Sequence, residues 1–200
     1  MRTDKVKVTV FSDYICPFCH IGFHRMQQLQ QQYDLDVEWK AFELRPETAP
    51  EGVDLATVFD KKYFAMVVAN VQQLAAEDGI SFEFPTRLPN SRLAHLIAEF
   101  AKDKGKFDEF HETAFELYWH EGKDIGDLDF LLEMAASIGL DRDEILAYLE
   151  REEPRDLLRR NIEELRALGT SGVPTFVIGN QVINGVQPRT VFERAILAVM

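Results

Sequence analysis

Alternating side chains near the start of the chain predict a short β–α–β unit. Residues 6–11 alternate β-branched and polar side chains, which is typical of a strand with one buried face. Residues 17–33 instead place apolar side chains at helical spacing, and residues 36–44 alternate again. A strand, a helix and a second strand at this spacing predict a parallel pair of strands joined by a crossover helix.

The rest of the chain predicts a long block of helices, a hairpin and a last helix. Apolar residues recur at helical spacing in six stretches, which are residues 54–78, 91–104, 107–120, 127–138, 141–150 and 154–168. Residues 175–178 and 181–184 then predict two strands, because the turn pair Gly179 and Asn180 lies between them. Pro188 is expected to begin the final helix.

These elements imply one discontinuous domain that carries an insertion. The first β–α–β unit and the final β–β–α segment together supply four strands, enough for a mixed sheet flanked by helices. We therefore expect an α/β fold in which residues 1–50 and 169–200 form one domain and residues 51–168 form an inserted, all-helical domain. A chain of 200 residues, 46% of them hydrophobic, is long enough to build such cores.

The charge of the chain argues against two classes of partner. The formal net charge is −12 and the pI is about 4.9, so nucleic acid and anionic membrane surfaces are disfavoured. Residues 1–5 lead directly into the first predicted strand without the apolar core of a signal peptide, and no apolar run could span a bilayer. We therefore expect a cytoplasmic protein with no nucleic-acid or membrane partner, and the residues point to no particular oligomeric state.

The two cysteines of the chain lie three residues apart at the predicted turn from strand to helix. Cys16 and Cys19 enclose Pro17, which suits a first helical turn because its missing N–H would have no partner there. The unpaired N–H groups and the dipole of a helix N-terminus favour a thiolate over a thiol. We expect a redox-active pair in which Cys16, at the helix tip, is the nucleophile and Cys19 is the resolving thiol.

Three other roles for these cysteines stay open from the residues alone. Cys16, Cys19 and His20 match the attachment pattern of c-type haem, although a strand and a long helix flank them here. His20 and His24 could complete a zinc site, but structural zinc sites usually take a second cysteine pair from elsewhere in the chain. A structural disulfide that closes so short a loop removes little entropy from the unfolded chain. The catalytic pair is favoured, with no metal and no bound cofactor.

The predicted topology places one carboxylate near the cysteines. In open α/β sheets, sites form at the carboxyl ends of the strands. The first predicted strand ends at the cysteine motif and the second ends at Glu43, so Glu43 is a candidate to accept the proton of Cys19 during exchange. The alternative is a solvated glutamate at a strand end.

Several segments resemble one family of thioredoxin-fold proteins. The Cys-Pro-x-Cys turn and the Gly-Val-Pro-Thr segment before the final hairpin resemble thioredoxin, and the long helical insertion resembles DsbA. Over essentially its whole length the chain resembles the FrnE-like subgroup of DsbA-like oxidoreductases. The segments that carry this resemblance are residues 13–19, 42–46, 88–95, 122–126 and 171–174.

The resemblance implies a DsbA-like protein disulfide oxidoreductase or isomerase. It implies that Pro174 is cis and faces the cysteine pair, and that Val173 presents its backbone to an extended thiol substrate. Phe18 and His20 stand where the subgroup usually has Trp and Tyr, so we expect only moderate stabilisation of the thiolate. The expected site residues are the catalytic Cys16 and Cys19, the substrate-binding Val173, Pro174, Pro17 and Phe18, and the candidate supporting residues Glu43, His20 and Asn90.

Proteins with the same scaffold leave other functions open. The 2-hydroxychromene-2-carboxylate isomerases and kappa-class glutathione transferases resemble this chain but carry Ser at the position of Cys16 and use glutathione. The expected substrate is a thiol or disulfide of a protein, a peptide or glutathione, and the expected redox group is the Cys16–Cys19 disulfide. A glutathione-dependent isomerase or transferase and a non-catalytic redox sensor are the alternatives. The presence of Cys19 favours an oxidoreductase, because an isomerase or transferase needs no resolving thiol.

Overall fold

A computed structural model describes residues 5–200 of the chain. The expected absence of a signal peptide rests partly on residues 1–4, which lie outside the described residues. Within residues 5–200, no helix has both the length and the apolar character needed to cross a membrane.

Six strands and nine helices are formed by the described residues. The strands are β1 Val6–Ser12, β2 Leu35–Ala41, β3 Val53–Asp54, β4 Arg87–Leu88, β5 Thr175–Ile178 and β6 Gln181–Asn184. The helices are α1 Pro17–Gln30, α2 Leu55–Val58, α3 Lys61–Glu77, α4 Arg92–Asp103, α5 Phe107–Glu121, α6 Leu128–Ser137, α7 Arg142–Leu149, α8 Glu153–Ala167 and α9 Arg189–Leu197. The two strands of the final hairpin are confirmed at their predicted residues, and the helices predicted between residues 91 and 168 are confirmed to within one residue at each end.

Contacts along the chain divide it into two compact units. The α/β unit comprises the chain up to Leu44 together with Arg160–Met200, and the helical unit comprises Arg45–Arg159. Both boundaries come earlier than the expected ones, which followed residue 50 and residue 168. The second boundary falls inside α8.

The α/β unit is built on a four-stranded mixed sheet in the order β2-β1-β5-β6. β1 pairs in parallel with β2 and antiparallel with β5, and β5 pairs antiparallel with β6, so the predicted mixed sheet is confirmed. Hydrogen bonds therefore hold β1 on both sides. Phe11 of β1 packs with Phe42 and Leu165 in a buried cluster. The turn that follows Ser12 is thus anchored at the carboxyl end of a central, buried strand.

β2 is shorter than the alternating pattern predicts. It ends at Ala41, which lies opposite Ser12, the last residue of β1. The Phe42 N–H still donates to the Ser12 carbonyl at 2.9 Å, but beyond this point β1 offers no further ladder partner. Glu43 therefore lies two residues beyond the strand rather than at its end.

The helical unit is not entirely helical, which corrects the expectation for the insertion. β3 pairs antiparallel with β4 in a separate two-stranded sheet. Strands of two residues are too short to show alternation, so the pattern of residues could not reveal them. The single helix predicted over residues 54–78 is also divided, because Asp60 caps a new helix by accepting the N–H groups of Lys62 and Tyr63.

Candidate active site

The cysteine turn joins the end of β1 to the start of α1. Cys16 is the N-cap residue of α1, with extended backbone at φ −94° and ψ 114°, and Pro17 occupies the first turn. The Cys16 N–H donates to the Asp13 carbonyl at 3.1 Å, and the Cys19 N–H donates to the Cys16 carbonyl at 3.0 Å. These bonds fix a tight turn in which both cysteines project from one end of the helix.

Both cysteines are free thiols, and they differ in their surroundings. Cys16 is 4% exposed, and its thiol donates to the Val173 carbonyl with 3.7 Å between Sγ and the oxygen. Cys19 is 0% exposed, and its Sγ accepts the N–H of Asp13 at 3.4 Å. Cys16 therefore faces the loop before β5, whereas Cys19 lies enclosed beneath the turn.

The environment of Cys19 favours the neutral thiol. Burial raises the pKa of Cys19 well above its usual range, and the neighbouring Cys16 sulfur raises it further. The Asp13 N–H and the Ser12 hydroxyl oppose this rise in pKa, but they do not overcome it. Cys19 is consequently held as a protonated thiol at neutral pH in the reduced protein.

The loop that faces Cys16 contains a cis peptide bond between Val173 and Pro174. Val173 is half-buried and Pro174 is buried. The Thr175 hydroxyl donates to the Gly172 carbonyl at 2.7 Å, and the Gly185 N–H donates to the Pro174 carbonyl at 2.8 Å. The loop is thus held on both sides of Val173, so that its carbonyl points at the Cys16 sulfur.

Asp13 is a site residue to which the sequence analysis assigned no role. Its side chain is 0% exposed, and its two carboxylate oxygens accept the Ile15 N–H at 3.3 Å and the Leu44 N–H at 2.6 Å. Its own N–H is the donor to Cys19. Asp13 therefore ties the cysteine turn to the chain beyond β2. The signal available in the sequence is a lone acidic residue set among apolar and aromatic neighbours at a strand end.

Three other predicted residues lie on the cysteine turn or directly after it. Pro17 and Phe18 are half-buried, so part of each side chain is accessible beside the cysteines. His20 is fully buried, and its ring lies 4.6 Å from the ring of His24 in an edge-on arrangement. His20 therefore belongs to the packed side of α1 rather than to an open face.

The two remaining candidates are placed differently. Glu43 is 8% exposed in the segment that follows β2. Asn90 lies in the helical unit, where its amide donates to the Thr48 carbonyl at 2.5 Å and its side-chain oxygen accepts the Arg92 N–H at 2.9 Å. These bonds give Asn90 a structural role just before α4.

Comparison with known protein families agrees with this geometry. Residues 7–197 match the family model described as the DSBA-like thioredoxin domain. The chain belongs to the DSBA-like thioredoxin domain family. The uncharacterized protein YwbO of Bacillus subtilis (strain 168) is 34% identical to this DSBA-like chain over 194 residues, 96% of each protein. The FrnE-like subgroup stays a prediction.

Solved structures share the fold of this DSBA-like domain. The probable DsbA oxidoreductase SCO1869 from Streptomyces coelicolor superposes with a TM-score of 0.84 at 24% identity, covering 96% of this chain and 89% of that one. A 2-hydroxychromene-2-carboxylate isomerase superposes with a TM-score of 0.79 at 20% identity, covering 96% and 95% of the two chains. At these identities the similarity establishes the thioredoxin fold with its insertion, as expected from the sequence.

Proposed function

We propose that this DSBA-like domain is a thiol–disulfide oxidoreductase that uses its Cys-Pro-Phe-Cys motif without a bound cofactor. The observation that carries the proposal is the contrast between the two thiols. Cys16 caps a helix and faces the Val173 carbonyl, whereas Cys19 is enclosed one turn further along. A helix N-terminus stabilises negative charge on sulfur, so Cys16 is the group suited to attack.

Reduction of a substrate disulfide then takes two steps. The Cys16 thiolate attacks one sulfur of the substrate, the substrate S–S bond breaks, and the released substrate thiolate takes up a proton. Cys19 next loses its proton and attacks the Cys16 sulfur of the mixed disulfide. The second substrate thiol leaves, and the protein has lost two electrons to form the Cys16–Cys19 disulfide. Oxidation of a dithiol substrate is the same sequence in reverse.

The different surroundings of the two sulfurs suit Cys16 to be the nucleophile and Cys19 to be the resolving thiol. The raised pKa of Cys19 keeps it protonated while Cys16 reacts, so that the buried thiol does not compete for the substrate. The half-buried Val173, Pro17 and Phe18 supply the accessible rim on which an extended thiol substrate would lie, and the buried Pro174 supports this rim from beneath. We also propose the cytoplasm as the compartment for this activity.

The test is a comparison of two serine variants with a disulfide substrate such as oxidised glutathione. Cys16→Ser is expected to abolish exchange, because it removes the nucleophile. Cys19→Ser is expected to accumulate a mixed disulfide on Cys16, which mass spectrometry detects as the added mass of one substrate thiol. Equal residual turnover in the two variants would overturn the assignment of roles.

A further inference from the structure

The net charge of the chain is confined to the helical unit. This unit contains 25 of the 34 acidic residues and 13 of the 22 basic residues. The α/β unit holds the remaining nine of each and is neutral by formal charge. The whole formal charge of −12 therefore lies on residues 45–159, whose surface attracts cationic groups and repels anionic ones.

An open apolar cavity lies within this acidic unit. It has a volume of about 290 Å³, and one acidic and one basic residue, Asp54 and Lys61, line it. Its apolar lining comes from Leu55, Ala56, Phe59, Phe64 and Phe84. The Phe64 ring lies 6.3 Å from both the Phe59 and the Phe84 ring, so the three half-buried aromatic side chains form one continuous wall. Such a cavity suits one aromatic or aliphatic side chain of a partner.

Exposed side chains extend this apolar surface along α3. Only two residues of this 17-residue helix, Val71 and Ala75, are buried. Tyr63 is 51% exposed and Met66 is 61% exposed. Exposed apolar surface of this kind next to a cavity is a feature of binding surfaces.

A second cavity adjoins the first and brings acidic groups to it. It has a volume of about 340 Å³ and shares the segment of residues 84–86 with the apolar cavity. Its lining includes Glu83, Glu121 and Lys123, and Lys123 lies 4.0 Å from Glu121 in an ion pair, which leaves Glu83 as the carboxylate for a partner. The Arg87 side chain, which also lines it, donates to the backbone carbonyls of Glu51 and Gly52 and is therefore engaged within the unit. Among residues 5–200, no cationic side chain lies within ion-pair distance of Glu83.

We propose that these two cavities bind an extended segment of a cationic polypeptide substrate. An aromatic or aliphatic side chain of the substrate enters the apolar cavity, and a neighbouring Lys or Arg lies against Glu83. This inference rests on the proposed oxidoreductase function and names its substrate class as unfolded, basic polypeptides. Glutathione, which carries a net negative charge at neutral pH, is a poor match for this surface. A second copy of the chain is disfavoured too, because the same acidic unit would face itself.

Binding of cysteine-free peptides tests the surface without any redox step. The probes are three fluorescein-labelled peptides, of which the first has a central Phe flanked by Lys, the second replaces Lys by Glu, and the third replaces Phe by Ser. Fluorescence anisotropy with the wild-type protein gives each Kd. We expect the Lys-flanked peptide to bind about tenfold or more tightly than either of the others, with the preference over the Glu-flanked peptide shrinking as salt rises.

Two variants with matched controls locate the binding surface. Ala56→Trp fills the apolar cavity and should weaken the Lys-flanked peptide about tenfold or more, since the Phe side chain loses its burial. Glu83→Lys should reduce the preference for Lys over Glu in the peptide. Ala136→Trp and Glu133→Lys place the same changes on exposed positions of α6 that line neither cavity, and they should leave each Kd unchanged.

The outcomes separate this inference from the proposed function. Exchange with oxidised glutathione by the wild-type protein is measured in parallel. If exchange occurs but all three peptides bind equally, or Ala56→Trp behaves like Ala136→Trp, the docking surface is wrong while the function stands. If exchange is absent while the peptides and variants behave as predicted, the surface stands and the function fails. Sedimentation that shows a dimer for the wild type and a monomer for Ala56→Trp would also overturn the inference, because this surface would then be an interface between two copies of the chain.

Discussion

Replacement of Asp13 should weaken the fold at the cysteine turn. The side chain is fully buried, and each carboxylate oxygen accepts one backbone N–H. In Asp13→Asn the amide keeps one oxygen acceptor, which should stay with the Leu44 N–H because that bond is the shorter at 2.6 Å. The amide NH₂ then faces the Ile15 N–H, which is also a donor and therefore loses its acceptor. A buried N–H without an acceptor lowers the unfolding free energy by about 1–3 kcal/mol. Asp13→Ala removes both acceptors and should cost about 3–5 kcal/mol.

Urea unfolding of the reduced protein measures this loss. The control is Asp36→Asn, which makes the same chemical change on an exposed position of β2 and should stay within about 0.5 kcal/mol of wild type. Loosening of the turn should also open the enclosed Cys19 sulfur, which is 0% exposed in the wild-type protein, to solvent. Cys19 should therefore react faster with iodoacetamide in Asp13→Asn than in the control. If Asp13→Asn is as stable as Asp36→Asn, the carboxylate does not hold the turn.

Two further predictions concern stability in the α/β unit. Because burial raises the pKa of Cys19 above its usual value of 9.0, the unfolded chain ionises first as the pH rises, and the reduced protein loses up to about 1.4 kcal/mol per pH unit above that value. Below the unfolded pKa of Cys19 the stability contribution of this thiol is fully present, and Cys19→Ala lacks it at every pH. Urea unfolding at several pH values should therefore show a smaller decline in unfolding free energy for Cys19→Ala than for the wild type. Equal declines in the two proteins would contradict this prediction. A Cβ at Gly22 would lie 2.8 Å from Cζ of Phe176, so Gly22→Ala should lower the unfolding free energy by about 1–2 kcal/mol even after its gain in helix propensity. Urea unfolding measures this loss, and Gly172→Ala, where the added Cβ meets open space, should show no loss in the same experiment.

The elements that carry the cysteines could be predicted because their patterns are long and local. The first five residues of β1 alternate apolar and polar side chains, and α1 keeps its apolar stripe over 14 residues. The hairpin of β5 and β6 has strong turn residues at Gly179 and Asn180. The position of the cysteines at the first turn of α1 followed from the same two patterns.

What could not be predicted depends on contacts between distant residues. Asp13 and Leu44 are 31 residues apart, and no local pattern indicates that a carboxylate at the end of β1 accepts the N–H of Leu44. β3 and β4 are each two residues long and pair across more than thirty residues of chain, so they leave no periodic signal. The end of β2 is likewise set by where β1 stops, not by the alternation of its own side chains.

The redox equilibrium of the cysteine pair tests the proposed oxidoreductase function. The reduced protein is titrated against mixtures of reduced and oxidised glutathione, and mass spectrometry follows the thiols. We expect one reversible two-electron couple in which Cys16 and Cys19 form an intramolecular disulfide. A midpoint near about −200 mV or higher would favour an oxidase or isomerase role, and one near about −270 mV a reductase role. Failure to form the intramolecular disulfide, with Cys16 instead holding one glutathione, would contradict the proposed oxidoreductase function.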